Sequence, residues 1–304
     1  MNEESLFNQL TTESTVNING YITPAKDAKI SIFDRGFLYG DSIYEVTYTD
    51  KGTVIFLEEH LDRLYNSAAL LDMHIFYSRD EIKKQILDTL HVSRLDTAYV
   101  RLVITRGETT ITLDPNVSFK NNLIIIVKPR AKHPQLHYDE GIKLFISTIL
   151  RNDIMAVNPN AKSGNYLNNV MAISEAKKYG ADDALMVNKN QEVTEGTTFN
   201  IWYCKNGEVI TPDLSSGLLK GITREKVINI CRDNDIKISI KKVSIEELLA
   251  ADEVFITSTT RAIMPVKAIN QTLFYKTSNS LVDKISSLYN QLINNELKMG
   301  PKYL

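Results

Sequence analysis

Two rhythms of apolar and polar positions run along the chain, one of period two and one of period three to four. Residues 42–57, "SIYEVTYTDKGTVIFL", alternate, turn at Asp50–Gly52 and alternate again, which predicts a hairpin. The rhythm then lengthens. Leu61, Leu64, Ala68 and Leu71 share one face of a helix predicted over Glu58–Met73, and Ile82, Ile86 and Leu90 share one over Arg79–Leu90. "VNINGYI" carries an Asn19-Gly20 turn signal between short strands. "AYVRLVITRG" and "NLIIIVKP" are β-branched runs that read as strands.

After these comes "RAKHPQLHYDEG", polar and broken by Pro134 and Gly141. It suggests a boundary: an N-terminal domain over residues 1–132, a linker over 133–140 and a C-terminal domain over 141–304. The second half predicts a strand at "IKLFIST" and a helix over 167–179 that stops at Gly180. A strand, turn and strand follow at "ALMVNKNQEVTE", then a hairpin turning at Asn206-Gly207. "GITREKVINICRDN" predicts a helix entered through glycine, and Ser244 with Glu247 forms a capping-box signature. "EVFITSTT" is a strand ending in hydroxyls, and Leu281, Ile285, Leu288 and Leu292 stripe a long final helix. Hairpins mixed with helices predict an α/β fold of the mixed α+β kind rather than a regular doubly wound sheet.

The 304 residues are 43% hydrophobic and 24% charged, with a formal net charge of -2. That balance offers no basic field for nucleic acid or an anionic membrane. No window approaches 18 uncharged apolar residues, and the acidic, polar N-terminus lacks the features of a secretory signal. Cys204 and Cys231 form no disulfide framework. A cytoplasmic protein with both cysteines as packing residues is expected. GxGxxG, GxxxxGK[ST] and GxSxG are absent, and the histidines lack metal-ligand spacing, so no metal is expected.

Three stretches gather candidate chemistry, each with a plainer structural explanation. At "KGITREKV", Gly221 lets the backbone approach a ligand, and Ile222 and Thr223 offer helix N-terminal amides; a simple threonine cap explains it equally well. At "ITSTTRAIMP", hydroxyls at a strand end suit an anion, or merely a hydrated turn. At "QEVTEGTTFN", Glu195 followed by Gly196 suggests a pocket wall for a flat ligand, or a surface hairpin. Ahead of them stands "NPNAKSGNYLNN", where Lys162 has no acidic residue within seven positions.

Taken in order, these blocks resemble the class IV aminotransferases, the fold-type IV pyridoxal-phosphate enzymes, as do "DRGFLYGDSIYEV" and "EEHLDRLYNSA". The resemblance runs from about Val16 to Leu292. It implies a small N-terminal α/β domain and a larger C-terminal pseudo-barrel α/β domain, with pyridoxal 5′-phosphate between them and a homodimeric assembly. Lys162 matches the lysine that forms the Schiff base. Arg63, Ile222, Thr223 and Thr259 match the phosphate contacts. Glu195 matches the carboxylate for the pyridine nitrogen, Tyr166 the tyrosine near the ring hydroxyl, and Leu219 the leucine on the ring face. Tyr44, Arg101 and Thr260 match substrate-side positions.

A Schiff base needs a neutral amine, and a free lysine with its ordinary pKa of about 10.4 is almost wholly protonated at neutral pH. The uncharged surroundings of Lys162 suit that need, and the small residues beside it leave room for a planar ring. The resemblance then implies ping-pong transfer from an amino acid to 2-oxoglutarate. "YVRLV" and "TLDP" resemble branched-chain enzymes, whereas the "YEV" of "DSIYEV" resembles D-amino acid and R-amine transaminases. "TRGETTITLDP" lacks the Arg-x-His pair of the well-described D-specific enzymes. An L-branched-chain or similar hydrophobic substrate is expected, with a D-amino acid or R-amine transaminase and aminodeoxychorismate lyase as the alternatives. Arg35, Arg106 and Arg261 are further carboxylate candidates, weighed against structural salt bridges.

Overall fold

The computed structural model describes residues 13–117, 120–275 and 279–304. The chain divides into two compact units. One contains residues 1–131, 161–165 and 294–304; the other contains 132–160 and 166–293.

The first unit is built on an antiparallel six-stranded sheet. Its strands are β1 (Thr15–Ile18), β2 (Tyr21–Pro24), β3 (Ser42–Asp50), β4 (Thr53–Val54), β5 (Ala98–Thr105) and β6 (Asn122–Pro129), in the order β2-β1-β6-β5-β3-β4. The Asn19-Gly20 turn forms as its residue types require, with positive φ at both positions. A short helix α1 (Arg35–Tyr39) precedes β3, and α2 (Leu57–Leu70) and α3 (Arg79–Ser93) follow β4. Strand alternation points Ile43, Val100, Leu102 and Ile125 into one apolar cluster with Leu61, Leu64, Ile82 and Ile86 of these helices. The second arm of the "SIYEV…" hairpin is only two residues long. Phe56 takes a left-handed conformation there (φ 51°) and turns the chain into α2.

In the second unit β7 (Ile142–Ile146), β8 (Asp183–Val187), β9 (Val193–Gly196), β10 (Asn200–Lys205), β13 (Glu253–Ser258) and β14 (Ala262–Ile269) close on themselves through a β9–β10 pairing. That closed path is the pseudo-barrel. Strands β11 (Glu208–Pro212), β12 (Ile238–Lys241) and β15 (Thr272–Leu273) extend it. Leu144, Leu185, Ile201, Val254 and Met264 form its core. Helix α5 (Leu167–Lys178) lays Ala172 and Ala176 on β8, and α6 (Ile222–Asp233) packs against β13. The capping box of α7 (Ile245–Leu249) is present, with the Ser244 side chain and Glu247 bonding reciprocally.

The segment expected to be a linker contains a helix, α4 (Gln135–Asp139), entered after Pro134 and packed through Tyr138 on the barrel core. Strand β14 lies in the run after "TSTT", where Pro265 argues against a strand. The structure admits the proline opposite Phe255 and shifts register beside it, between Val266 and Ala268. Nor is the division a single cut. Residues 161–165 belong to the first unit because Ser163 pairs with Ile43, and residues 294–304 because the Tyr303 hydroxyl reaches Thr49 and the Leu95 carbonyl. The last helix, α8 (Leu281–Met299), contributes to both.

Candidate active site

The residues that the sequence singles out fall in both units. On the first unit, the segment carrying Lys162 is sewn to the open edge of β3. The Tyr44 amide donates to the Lys162 carbonyl at 2.9 Å, and the Gly164 amide to the Ser42 carbonyl at 2.8 Å. The Lys162 amide donates to Ser67 Oγ of α2 at 3.1 Å. This backbone is held from two directions, so the side chain starts from a fixed point.

Lys162 Nζ lies 3.1 Å from Tyr44 Oη and 4.3 Å from the centre of the Tyr44 ring. Val46 pairs with Arg101 and Tyr44 with Val103, so Arg101 is the diagonal neighbour of Tyr44 on one sheet face. Its guanidinium carbon stands 3.9 Å from the same ring centre. One aromatic ring thus has both the Lys162 amine and the Arg101 guanidinium close to it.

The other face of β3 carries Glu45. Arg63 Nε donates to Glu45 Oε1 and Nη2 to Oε2, both at 2.7 Å, and His60 Nδ1 stands 2.7 Å from Oε2. His60 and Arg63 share a face of α2 because they are three apart. Burial by itself raises the Glu45 carboxyl, but the charge and hydrogen bonds of Arg63, with those of His60, hold it down at about 2. Burial dominates for His60 and lowers it from its ordinary value despite Glu45. A neutral ring therefore donates from Nδ1 to Glu45, and its buried Nε2 has no partner among the described residues. Neither Glu45 nor His60 is among the residues read from the sequence as functional. The signal was present: alternation puts Glu45 on the core face of β3, where a carboxylate must be paired.

On the second unit, Glu195, Asn200 and Thr257 lie side by side across β9, β10 and β13. Glu195 is 6% exposed. Its Oε1 accepts from Arg151 Nε at 3.0 Å, and its Oε2 from the Leu219 amide at 3.0 Å. Asn200 Nδ2 donates to the Leu219 carbonyl at 2.9 Å. Leu219 is thereby fixed at both ends, two residues before the start of α6. No side chain caps that helix, so the first-turn amides of Ile222 and Thr223 lack intrahelical partners. Arg224, 2% exposed, donates to the Pro212 carbonyl and to Glu225, and its Nε has no partner among the described residues. Thr259 and Thr260 occupy the turn from β13 to β14. Tyr166 stands at the entry of α5, half-buried.

The glycines let the protein's own residues pack closely. A Cβ on Gly221 would stand 2.0 Å from Asn200 Oδ1, and one on Gly196 would stand 1.9 Å from the Phe199 ring. A Cβ on Gly164 would meet Ser42 Oγ at 2.3 Å. Each absent side chain admits a protein neighbour, and so fixes the site's own residues in place. The three further arginines are all in salt bridges: Arg35 and Arg106 with Asp41, and Arg261 with Asp183. Arg35 also donates to the carbonyls of Thr112, Leu113 and Asp114, which ties down the loop after β5.

These features fit pyridoxal phosphate. The uncapped start of α6 offers donors for a dianion. Glu195 is a carboxylate kept in place by an arginine and an amide, and Lys162 is an amine on an anchored backbone.

Comparison with known proteins agrees. The model of the amino-transferase class IV family matches residues 42–269. A Methanocaldococcus jannaschii protein named "Putative branched-chain-amino-acid aminotransferase" is 39% identical over 255 residues, 84% of this chain and 88% of that one. The D-alanine aminotransferase of Bacillus licheniformis is 32% identical over the same shares. The crystal structure of the Escherichia coli branched-chain amino acid aminotransferase superposes with a TM-score of 0.88 at 26% identity, covering 93% of this chain and 95% of that one. A matched span this long, with lysine, carboxylate and uncapped helix start in the expected order, settles the family: the chain belongs to the class IV aminotransferases, which use pyridoxal phosphate.

Proposed function

We propose that the chain moves the amino group of an L-branched-chain or similar hydrophobic amino acid to 2-oxoglutarate by a ping-pong mechanism. The observation that carries the proposal is the Tyr44 ring with Lys162 Nζ at 4.3 Å and Arg101 at 3.9 Å. The same ring thus has near it an amine that can exchange with an amino group and a guanidinium that can take a carboxylate, and an amino acid presents both groups on one carbon.

When bound, pyridoxal phosphate supplies an electron-withdrawing ring that stabilises negative charge on the substrate α-carbon. The protein does the rest. Lys162 anchors the cofactor and, once released, its Nζ takes and returns the α-proton as general base and acid. Tyr44 Oη orients that amine. Glu195 serves the ring nitrogen, Leu219 covers a ring face and Tyr166 serves the ring hydroxyl. Arg63, Thr259 and the amides of Ile222 and Thr223 hold the phosphate. Arg101 and Thr260 bind the substrate carboxylate. The enzyme acts as a homodimer on small amino and oxo acids, as the family resemblance implies, and a cytoplasmic location fits its composition.

Borohydride reduction should fix the cofactor on Lys162, read by peptide mass; a label on another lysine refutes that assignment. The substrate is tested by half-reactions with L-leucine, D-alanine, D-glutamate and R-phenylethylamine, followed in the cofactor's spectrum. Conversion by L-leucine is expected. Conversion by D-alanine or D-glutamate alone would establish the second reading, a D-amino acid transaminase, which the "YEV" motif and the Bacillus licheniformis relative favour.

A further inference from the structure

We infer that Glu45, held in turn by His60, is the positioning residue that aims Arg63 at the cofactor phosphate. The inference rests on the phosphate role proposed for Arg63. Glu45 engages the Nε–Nη2 edge of the guanidinium with two bonds of 2.7 Å, and a planar fork held by two bonds has its rotation about the side-chain axis fixed. The direction in which the rest of the guanidinium points is then set by Glu45. An arginine without such a partner samples many rotamers, and ordering it would cost part of the phosphate affinity.

His60 completes the device. Its neutral ring donates to the same carboxylate oxygen that receives Nη2, so Oε2 accepts from two directions and the carboxylate plane cannot turn. The ring is 1% exposed and sits on α2 three residues before Arg63, so helix geometry sets the spacing of the two donors. Glu45 comes from β3, whose next residue back, Tyr44, touches Lys162. One strand therefore positions the phosphate arginine with one face and the Schiff-base lysine with the other.

The alternative is that Glu45, His60 and Arg63 only stabilise the fold. The two possibilities separate by comparing pyridoxal phosphate with pyridoxal, which lacks the phosphate. The apoprotein of each variant is titrated with both, followed by visible absorbance, and its folding is checked by circular dichroism. Glu45→Asp keeps the charge but shortens the reach by one methylene, so the fork is lost while the Coulombic balance stays. The preference for pyridoxal phosphate over pyridoxal should fall about tenfold, a loss comparable to one charge-assisted hydrogen bond. His60→Ala should move the preference the same way, and His60→Asn, which restores a donor near the Nδ1 position, should recover part of it. These histidine variants also carry the test if Glu45→Asp does not fold. An unchanged preference in Glu45→Asp and His60→Ala, with both ligands weakened equally, overturns the inference. An unchanged preference in Arg63→Ala shows instead that Arg63 does not read the phosphate, and the underlying assignment fails first.

Discussion

Replacing Gly221 by alanine isolates the packing that supports the start of α6. The backbone there is ordinary (φ −71°, ψ 136°), so alanine brings no conformational strain. Its Cβ, however, would stand 2.0 Å from Asn200 Oδ1 and 3.4 Å from Arg224 Cβ. Asn200 is 4% exposed, and to move it must give up its bond to the Leu219 carbonyl. Overpacking of this kind costs about 1–3 kcal/mol. The lost hydrogen bond adds about 1 kcal/mol. The reduced freedom of the unfolded chain returns roughly 0.4–1 kcal/mol. The net is a destabilisation of about 2 kcal/mol, or about 3 °C in the melting temperature of a chain this long. Thermal and urea melts of the apoprotein measure it. The decisive comparison is made in an Asn200→Ala background, where the obstructing oxygen is gone and Gly221→Ala should cost almost nothing. An equal cost in both backgrounds would refute Asn200 as the reason for the glycine.

Three further outcomes follow from the geometry. Glu45 titrates lower in the folded protein, at about 2, than its usual 4.5, so its stabilisation is present above pH 4.5 and is lost as the pH falls towards 2; on the order of 3 kcal/mol is at stake. His60 is also lowered, from 6.5, so the unfolded chain gains a proton first and stability begins to decline below about that pH. The urea midpoint of the parent should therefore drop across both windows, and Glu45→Gln should abolish the lower one. Arg101→Ala should raise KM for amino acids by about 10- to 100-fold, the worth of a charge-assisted bond, and leave that for an amine without a carboxylate nearly unchanged; equal effects on both would remove Arg101 from the carboxylate role. Cys204 and Cys231 are buried, and burial pushes both thiols up, Cys231 to about 11. A thiol reagent should leave both unmodified in the native protein and label both in urea.

Local chemistry made much of this fold legible in the sequence. The Ser244–Glu247 cap and the Asn206-Gly207 turn depend on a few adjacent residues, and both form as expected. Strand β14 was not legible, because Pro265 argues locally against a strand and only its neighbours in the sheet accommodate it. The helix in the expected linker was hidden for a similar reason: its five residues are held by the barrel they pack on. In the site, the order of the Lys162, Glu195 and Thr223 blocks identified the family because each block is contiguous. The packing at the glycines was not legible, because what crowds Gly221 lies 21 positions earlier in the chain, at Asn200. Glu45 is legible in the sequence: its place among Ile43, Thr47 and Thr49 marks a charge on a buried face, and "HLDR" supplies its partners one turn apart on a helix.

The chain passes between its two units after residues 131, 160, 165 and 293. This interleaving makes the protein hard to dissect. A fragment ending at residue 131 would lack the Ala161–Asn165 segment and leave the edge of β3 uncovered around Ser42–Tyr44. It would also lack Tyr303, whose hydroxyl closes over Thr49. An exposed edge of that kind invites pairing between copies, so such a fragment is expected to aggregate. Chimaeras with related enzymes meet the same constraint. Exchanging the first unit intact requires matched junctions at all four places, and a graft that swaps only the N-terminal stretch carries the recipient's own lysine against a foreign strand.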